Sequence, residues 1–274
     1  MKNSLFNLEG KNCLITGGAG LLGRYHAEAI VEAGGNVFIA DILEDDAKML
    51  ALELCEKYNT KNATGVFMNV LDKLSISNAI SQIKKVDILI NNAAKDPKIK
   101  KENNATKDFT RFENMSIEGW KAGLDVSLNG TFLVTQAVIN NMLETDTEGV
   151  ILNVASDLGV IAPDQRIYRK DTDSFETQSV KPIFYSASKW AMIGMTKYLA
   201  TYFAEKNIRV NSISPGGAFN NHPESFVKKV SNLIPMKRMA NVDEYKGTVI
   251  FACSDASSYM TGQNIVVDGG RSVW

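Results

Sequence analysis

Short apolar segments of strand length alternate with helical patterns along almost the whole chain, and this alternation limits the fold more than any other feature. The strand-like segments include NCLITG, NVFIAD, TGVFMNV, VDILINNAA, GVILNVAS, IRVNSISPGG and QNIVVDGG. They are rich in Val and Ile and are separated by segments with helical periodicity, which is typical of βαβ units in a parallel sheet. The sequence therefore predicts an α/β fold, a doubly wound parallel sheet of about seven strands flanked by helices.

Neither a linker nor an internal repeat interrupts the alternation, so we expect one domain over residues 1–274. Two polar stretches do break the rhythm, residues 95–112 and residues 160–183. Irregular segments of this length in a compact domain are usually functional or disordered. Both follow predicted strands, on the side where ligands bind in open parallel sheets. We interpret residues 160–183 as an insertion that forms a substrate loop or lid.

Composition and charge argue against several classes of function. The 274 residues carry a formal net charge of −1, which gives no basic footprint for nucleic acid. No apolar run reaches the roughly 18–20 residues that span a membrane, and the N-terminus lacks the apolar stretch of a secretory signal. Three well-separated cysteines favour free thiols in a reducing compartment, so we expect a cytoplasmic protein. The sequence has two histidines, which are few for a histidine-based metal site and argue against a Ser-His-Asp triad, and we expect no metal.

The first predicted strand runs into a glycine-rich turn and then a helix, in LITGGAGLLG. Glycines let the backbone approach a pyrophosphate, and a helix N-terminus supplies amide donors. The second strand ends in Asp41, where a carboxylate accepts hydrogen bonds from the adenosine ribose and repels a 2′-phosphate. Apolar Ile42 and Leu43 follow, and not Arg or Lys, so NAD is favoured over NADP. The alternative interpretation of Asp41 is a helix N-cap.

A phenol and an ammonium group stand four residues apart in YSASKWAMIGMTKYLATYF. This spacing places Tyr185 and Lys189 on the same side of a helix, one turn apart. From the residues alone the pair is either a solvated helix edge or an acid–base pair. NNAA, after another predicted strand, is either a simple turn or a place where Asn91 ties strand ends together and Ala93 leaves room for adenosine.

The order of these and several later motifs resembles that of the short-chain dehydrogenases/reductases: TGGAGLLG, Asp41, NNAA, NVAS, YSASK, RVNSISPGG and MTGQNIVVDGG. The resemblance covers essentially the whole chain. It implies a Rossmann-type fold, alcohol–ketone chemistry with a nicotinamide dinucleotide, and a homo-oligomer, a tetramer or a dimer. The catalytic positions that it implies are Ser156, Tyr185, Lys189 and Ser127. The cofactor-binding positions that it implies are Gly17, Gly20, Leu21, Leu22, Asp41, Ile42, Asn69, Val70, Asn91, Ala93, Tyr185, Lys189, Pro215, Gly216 and Ala218.

The resemblance makes Tyr185 the general acid/base. A phenol with its unperturbed pKa of ~10 is a poor base at neutral pH. The ammonium group of Lys189 and the positive charge of the oxidised nicotinamide would both lower that pKa. Ser156 is expected to hydrogen-bond the substrate oxygen as its charge changes.

Three positions depart from the usual pattern of the family. Leu21 stands where a glycine is commonest, and Asn69 stands where an aspartate usually meets the adenine amino group. Ser127 stands where the family usually carries a catalytic asparagine, which helps to hold a water beside the lysine. We expect a variant glycine turn, a little-changed adenine contact, and a slowed or rerouted proton relay.

The insertion between Ser156 and Tyr185 has few apolar residues. A steroid or fatty-acyl site would need an apolar cover. The insertion therefore favours a polar or anionic ligand, with Arg166 or Arg169 available for phosphate or carboxylate. The alternative interpretation is a solvated surface excursion. The substrate-contacting positions that we expect are Ser156, Arg166, Tyr168, Tyr185 and Gly217.

Four segments resemble one branch of the family more narrowly: SDLGVIAPDQRIY, KPIFYSASK, KYLATYFAEKNIRVNSISPGG and the ending GRSVW. This branch contains the oxidoreductases of flagellin modification and of bacterial surface-sugar (nonulosonic acid) synthesis, which implies a sugar or sugar phosphate as substrate. One alternative is an enzyme similar to gluconate 5-dehydrogenase. Another is a 3-oxoacyl-thioester reductase, which normally prefers NADPH and has a shorter loop before the tyrosine. A third is a catalytically silent NAD-binding sensor or scaffold, which Ser127 alone favours.

Overall fold

Seven parallel strands form one sheet in the computed structural model, which describes residues 5–95, 110–170 and 172–274. The strands of these residues are β1 Asn12–Thr16, β2 Asn36–Asp41, β3 Ala63–Phe67, β4 Ile88–Asn91, β5 Val150–Val154, β6 Arg209–Pro215 and β7 Asn264–Val267. Their order is β3-β2-β1-β4-β5-β6-β7, and every neighbouring pair is parallel. The predicted fold class is confirmed.

Helices cover both faces of the sheet. The α-helices in the described ranges are α1 Gly23–Glu32, α2 Glu44–Lys57, α3 Lys73–Ile83, α4 Ile117–Leu124, α5 Thr131–Glu144, α6 Ile183–Tyr202, α7 Glu224–Asn232 and α8 Lys246–Cys253. One apolar cluster joins α1, α2 and α8 to the sheet and includes Ile30 and Val249. A second cluster joins α3, α5 and α6 to the sheet and includes Ile80 and Ala200. Because both faces are covered, β4 is buried at all four of its positions, which explains its unbroken apolar start.

The strand order reverses direction at β1, which lies between β2 and β4. The loops that leave the carboxyl ends of β1 and β4 therefore diverge and open a crevice, the usual ligand position in a doubly wound sheet. Thr16, the last residue of β1, pairs with Ala40 of β2 and with Asn91 of β4. The first residues after β1 and after β4 therefore lie side by side at this edge, since Asn92 donates to the carbonyl of Gly17.

The helical segment IEGWKAGLDVSLNGTFLVTQAVINNMLE is not one continuous α-helix. A π-helical turn, Asp125–Gly130, separates α4 from α5. Two glycines permit the close packing around it: a Cβ on Gly123 would lie 2.2 Å from the ring of Phe184, and one on Gly130 would lie 2.7 Å from Cγ2 of Val70. Such turns are frequent at functional sites.

The two polar stretches differ in how much of them can be described. Most of the first, residues 96–109, lies outside the described residues. The second contains a short 3₁₀ turn, Gln165–Tyr168, and ends where α6 begins. An irregular segment therefore stands between β5 and α6, where the sequence predicts a substrate loop.

Candidate active site

Tyr185 and Lys189 lie in the first two turns of α6, next to the carboxyl end of β5. Lys189 is 3% exposed, and its Nζ donates to the carbonyl of Val154, the last residue of β5, at 2.7 Å. The same Nζ lies 5.8 Å from the centre of the Tyr185 ring. The pair is therefore not a solvated helix edge, because a buried ammonium group is held beside the phenol.

A second ammonium group lies against the same ring. Nζ of Lys181 is 3.8 Å from the centre of the Tyr185 ring, which is cation–π geometry. Gln165 fixes the main chain of Lys181, since its Oε1 accepts from the Lys181 N–H at 2.8 Å and its Nε2 donates to the Lys181 carbonyl at 3.0 Å. Two cations near one phenol favour its deprotonated form. Sequence reasoning missed Lys181, for which the available signal was a basic residue four positions before the tyrosine.

Ser156 lies two residues after the end of β5 and caps the 3₁₀ turn Asp157–Gly159. Its Oγ accepts the N–H of Leu158 at 3.2 Å and donates to Oδ1 of Asp157 at 3.0 Å. The other carboxylate oxygen of Asp157, Oδ2, pairs with Nη1 of Arg271 at 2.8 Å. The predicted serine is therefore part of a buried polar chain whose other two members, Asp157 and Arg271, sequence reasoning missed.

The turn after β1 is built for small residues. Gly17 has a φ of +59°, and a Cβ there would lie 2.8 Å from Cα of Ala93. A Cβ on Gly23, where α1 begins, would lie 2.3 Å from the carbonyl oxygen of Gly17. α1 has no side-chain N-cap and no acidic residue in its first turn, so its N-terminal amides suit an anion such as a pyrophosphate. The other predicted contacts around this turn are exposed or partly buried, Gly20, Leu21, Leu22 and Ala93.

Asp41 ends β2, and its carboxylate reaches back to the glycine-rich turn. Oδ2 accepts the N–H of Ala19 and Oδ1 accepts the N–H of Leu43, both at 3.1 Å. α2 begins at Glu44, so Asp41 is not its N-cap, and the N-cap position makes no side-chain bond. Ile42 is 59% exposed. The end of β2 therefore presents a carboxylate followed by an exposed apolar side chain.

Two predicted cofactor positions have their side chains bound within the protein. Asn91 is buried, and its Nδ2 donates to Thr135 and Asn153 at 2.8 Å each, which ties β4 to β5 and α5. Its Oδ1 is buried and has no hydrogen-bond partner among the described residues. Asn69 accepts the N–H of Leu71 through its Oδ1 at 3.0 Å. The cofactor roles of both asparagines stay predictions.

The loop after β6 stands at the same edge of the sheet as Ser156, because β6 pairs in parallel with β5. The N–H of Gly216 donates to the carbonyl of Val267 at 2.8 Å, and the Gly216 carbonyl accepts the hydroxyl of Tyr245 at 2.9 Å. Burial raises the pKa of Tyr245, so this phenol stays protonated and donates. A Cβ on Gly216 would lie 2.9 Å from Cα of Asp268. The remaining predicted contacts of this loop are Pro215, Gly217 and Ala218, the last of which forms a β-bridge to residue 240.

Ser127 lies buried in the π-helical turn. Its Oγ accepts the N–H of Lys95 at 3.1 Å, and its carbonyl accepts the hydroxyl of Thr131 at 2.9 Å. The hydroxyl thus fixes the segment that leaves β4 beside the crevice. A part for Ser127 in a proton relay stays a prediction.

The insertion docks on α7 through apolar side chains, although its composition is polar. Ile167 is buried in a cluster with Val230 of α7, and the ring of Tyr168 lies 5.7 Å from that of Phe226. The side chain of Arg166 is 82% exposed and forms two hydrogen bonds with Asp164. These bonds lower the pKa of the Asp164 carboxyl. Substrate contacts by Arg166 and Tyr168 stay predictions.

A doubly wound sheet with a glycine-rich turn after β1, an acidic end to β2 and a half-buried tyrosine paired with a buried lysine defines an oxidoreductase that uses a nicotinamide dinucleotide. Family models agree with this class: residues 11–168 match the model of short chain dehydrogenase, and residues 172–272 match that of enoyl-(acyl carrier protein) reductase. The 3-oxoacyl-(acyl-carrier-protein) reductase FabG of Aquifex aeolicus is 35% identical over 96% of this chain and 98% of its own. The chain belongs to the short-chain dehydrogenase/reductase family.

Two solved structures share this fold over nearly their whole length. A short-chain dehydrogenase from Leptospira borgpetersenii with bound NAD⁺ is 32% identical, with a TM-score of 0.81 over 100% of this chain and 97% of its own. A gluconate 5-dehydrogenase from Burkholderia cenocepacia in complex with NADP and tartrate is 26% identical, with a TM-score of 0.82 over 98% of each chain. Family membership thus establishes a nicotinamide cofactor without choosing between NAD and NADP.

Other features of the described residues bear on function less directly. No helix in them is long and apolar enough to cross a membrane. They contain no group of three or more His, Cys, Asp or Glu side chains arranged to hold a metal ion. The three cysteines are free thiols, and Cys13 and Cys253 are buried.

Proposed function

We propose that this protein is an NAD-dependent oxidoreductase that interconverts a secondary alcohol and a ketone on a polar, carbohydrate-type substrate, a sugar or a sugar phosphate. The observation that supports this most strongly is the position of the Tyr185 ring beside the ammonium groups of Lys181 and Lys189. Cations at a phenol favour the phenolate, which is the base that alcohol oxidation requires. Oη of Tyr185 takes the proton of the substrate hydroxyl in oxidation and returns it in reduction, and Ser156 contacts the same substrate oxygen.

The residues of the crevice fit a dinucleotide. Close contacts leave no room for side chains at Gly17 and Gly23, and the acidic end of β2 supports a contact between Asp41 and the hydroxyls of an adenosine ribose. When bound, the dinucleotide accepts or supplies the hydride. We favour NAD over NADP because Asp41 would repel a 2′-phosphate and Ile42 offers no positive charge to offset it. Lys189 would hold the nicotinamide ribose in addition to acting on the phenol.

The polar substrate is inferred from the insertion, residues 160–183, and from the branch that the sequence resembles most narrowly. That branch points to flagellin modification or nonulosonic acid synthesis. The gluconate 5-dehydrogenase among the similar structures also acts on a polyol acid. We propose that the insertion sets the specificity, because it begins four residues after Ser156 and holds Lys181 against the catalytic phenol.

A second candidate function is the reduction of a 3-oxoacyl thioester. The 35% identity to the Aquifex reductase favours it, whereas the acidic end of β2 and the long polar insertion favour the carbohydrate substrate. Free cysteines support a reducing cytoplasm as the compartment. We also propose a homo-oligomer, a tetramer or a dimer, because Trp190 and Tyr198 of α6 are 54% and 64% exposed in the single chain.

A substrate panel tests the proposed function. D-Gluconate, sugar phosphates and nucleotide sugars would be offered with NAD⁺ or NADP⁺, and 5-keto-D-gluconate and acetoacetyl-CoA with NADH or NADPH, with the absorbance of the reduced cofactor as readout. We expect turnover of a carbohydrate and a preference for NAD(H). Efficient reduction of acetoacetyl-CoA, with no turnover of any carbohydrate, would favour the second candidate.

Tyr185→Phe tests the assigned base. We expect turnover to fall by at least about a thousandfold, because general acid–base catalysis contributes up to ~10⁴. The dissociation constant of NADH, measured by its fluorescence, should stay within about twofold. Tyr202→Phe removes a hydroxyl from an exposed tyrosine at the other end of α6 and is the matched control. Normal turnover by Tyr185→Phe would mean that another group is the base.

A further inference from the structure

Asp157 and Arg271 form a buried ion pair directly beside Ser156. Oδ2 of Asp157 lies 2.8 Å from Nη1 of Arg271, and the two side chains are 4% and 8% exposed. The residues are 114 positions apart, so the pair connects the end of β5 with the C-terminal 3₁₀ turn Arg271–Val273. Burying two charges costs desolvation free energy, which often exceeds the free energy gained from their attraction. Stability alone is therefore a poor reason for this pair.

The C-terminal residues are shaped to bring Arg271 to this position. Asp268 accepts the N–H of Gly270 at 2.9 Å through one carboxylate oxygen and the N–H of Ser272 at 2.7 Å through the other. Gly270 has a φ of +89°, and a Cβ there would lie 2.9 Å from Cγ of Pro235. Only glycine adopts this conformation at low cost. A tight turn thus directs the guanidinium group inward.

Asp157 also holds the hydroxyl proton of Ser156. A carboxylate accepts hydrogen bonds and has none to donate, so the 3.0 Å contact between Oγ of Ser156 and Oδ1 of Asp157 fixes the direction of this bond. The N–H of Leu158 is shared between the two side chains, because it donates to Oδ1 of Asp157 at 2.8 Å and to Oγ of Ser156 at 3.2 Å. A single lone pair of Oγ then remains for a substrate. The hydroxyl proton of Ser156, which a ketone oxygen would need as a hydrogen-bond donor, is already bound to Asp157.

We propose that Asp157, anchored by Arg271, is a positioning residue that withholds the Ser156 proton from a bound ketone and releases it as negative charge develops on the substrate oxygen. A neutral ketone is a weaker acceptor than a carboxylate, whereas an oxygen that gains negative charge competes with it. The hydroxyl then rotates about its Cβ–Oγ bond, and the proton stays on Oγ. A bond made only in the transition state raises the rate without tightening ketone binding.

This inference rests on the proposed function, since it assumes an alcohol–ketone pair, and Asp157→Asn tests it. The asparagine keeps the shape of the side chain but is a weaker acceptor. We expect the NAD⁺-loaded variant to bind 5-keto-D-gluconate, or the panel ketone that the wild type reduces fastest, about tenfold more tightly, since one hydrogen bond becomes available. We expect kcat for reduction of that ketone with NADH to fall about tenfold. Calorimetry measures the affinity, and NADH absorbance measures kcat.

Arginine variants test the anchor. Arg271→Gln should lower kcat as Asp157→Asn does, and Arg271→Lys, which keeps the charge, should recover most of the loss. Lys246→Met is the matched control, because it breaks the ion pairs that Lys246 of α8 forms with Glu28 and Glu32 of α1. It should lower the thermal midpoint and leave both ketone affinity and kcat unchanged.

Two results would overturn the positioning role: a kcat of Asp157→Asn equal to that of the wild type, or a loss of ketone affinity in step with kcat. A wild-type enzyme that reduces no ketone of the panel contradicts the proposed function instead. In that case a crystal structure with NAD⁺ tests the positioning by itself. Oγ of Ser156 within hydrogen-bond distance of Oδ1 of Asp157 supports it, and Oγ turned away from that oxygen refutes it.

Discussion

His26 is fully buried in α1, and neither of its ring nitrogens has a hydrogen-bond partner among the described residues. Burial lowers the pKa of His26 from 6.5 to about 4, so the ring is neutral in the folded protein at pH 7. The unfolded chain takes up this proton near pH ~6.5. Between pH 6.5 and about 4 the unfolded chain therefore binds more protons than the folded one, and the free energy of unfolding falls as the pH falls.

His26→Leu should remove this acid sensitivity. Between pH 7 and pH 4 the wild type should lose about 3 kcal/mol more unfolding free energy than the variant, because one pKa unit corresponds to ~1.36 kcal/mol. At pH 7 the variant should be at least as stable, since it buries no unpaired nitrogen. Urea unfolding at several pH values measures both effects. His222→Gln replaces the other histidine of the chain and controls for the loss of one imidazole. Equal slopes for His26→Leu and the wild type would contradict the titration.

Local motifs carried the residue predictions that the structure brings together. The four-residue spacing on one helix paired Tyr185 with Lys189, whereas Ser156 was assigned by the resemblance of NVAS to the serine motif of the family. Asp157 and Arg271 did not follow, because a contact across 114 positions has no local signature. Lys181 was missed for a similar reason, since its approach to the phenol depends on the contact of its main chain with a distant side chain.

At the scale of elements, a buried arginine connects the two irregular segments that flank the site. Arg111 is 5% exposed, and its Nε donates to Glu113 at 2.6 Å. Its Nη1 donates to the carbonyls of Phe175 and Gln178 in the insertion, at 2.7 and 3.2 Å. The guanidinium group also lies 5.0 Å from the centre of the Phe175 ring. Arg111 therefore holds the part of the insertion around Phe175 and Gln178. The part around Ile167 and Tyr168 packs on α7.

Arg111→Met should loosen the insertion while leaving the sheet intact. The change removes two donors to main-chain carbonyls, each worth about 1.5–3 kcal/mol when the donor is charged. Local opening of residues 172–180 should become more than about tenfold more frequent, and hydrogen–deuterium exchange of peptides from that segment measures it. Arg166→Met breaks an exposed pair in the same insertion and is the control, with little expected change. Equal exchange in both variants would remove Arg111 from this role.

The elements also show where sequence periodicity stops being informative. The strands and most helices follow from apolar alternation, because each buries a face or a whole segment. The π-helical turn between α4 and α5 does not, since it depends on the approach of Val70 to Gly130 from another part of the chain. The polar composition of the insertion likewise gave no reason to predict that Ile167 is buried, as the one buried side chain of the 3₁₀ turn.

At the scale of the whole molecule, one face of α6 remains apolar and uncovered in the single chain. Trp190 and Tyr198 are 54% and 64% exposed. Gly194 lies midway between them, on the same face of the helix. A Cβ on Gly194 would meet nothing within 4 Å, so the packing of this subunit does not require glycine there. Glycine within a helix costs about 1 kcal/mol relative to alanine. A second helix that crosses α6 closely at this point would account for both the glycine and the exposed aromatic rings.

We therefore expect the protein to self-associate through α6, and Gly194→Leu should shift it towards the monomer. The leucine has space within the subunit and is a better helix former, so the folded monomer should survive. Gly247→Leu is the matched control, because Gly247 also lies in an exposed helix position, in α8, with nothing within 4 Å of its Cβ. Sedimentation velocity over a range of concentrations should show an oligomer for the wild type and for Gly247→Leu. A monomeric wild type, or equal association of both variants, would show that α6 does not form the interface.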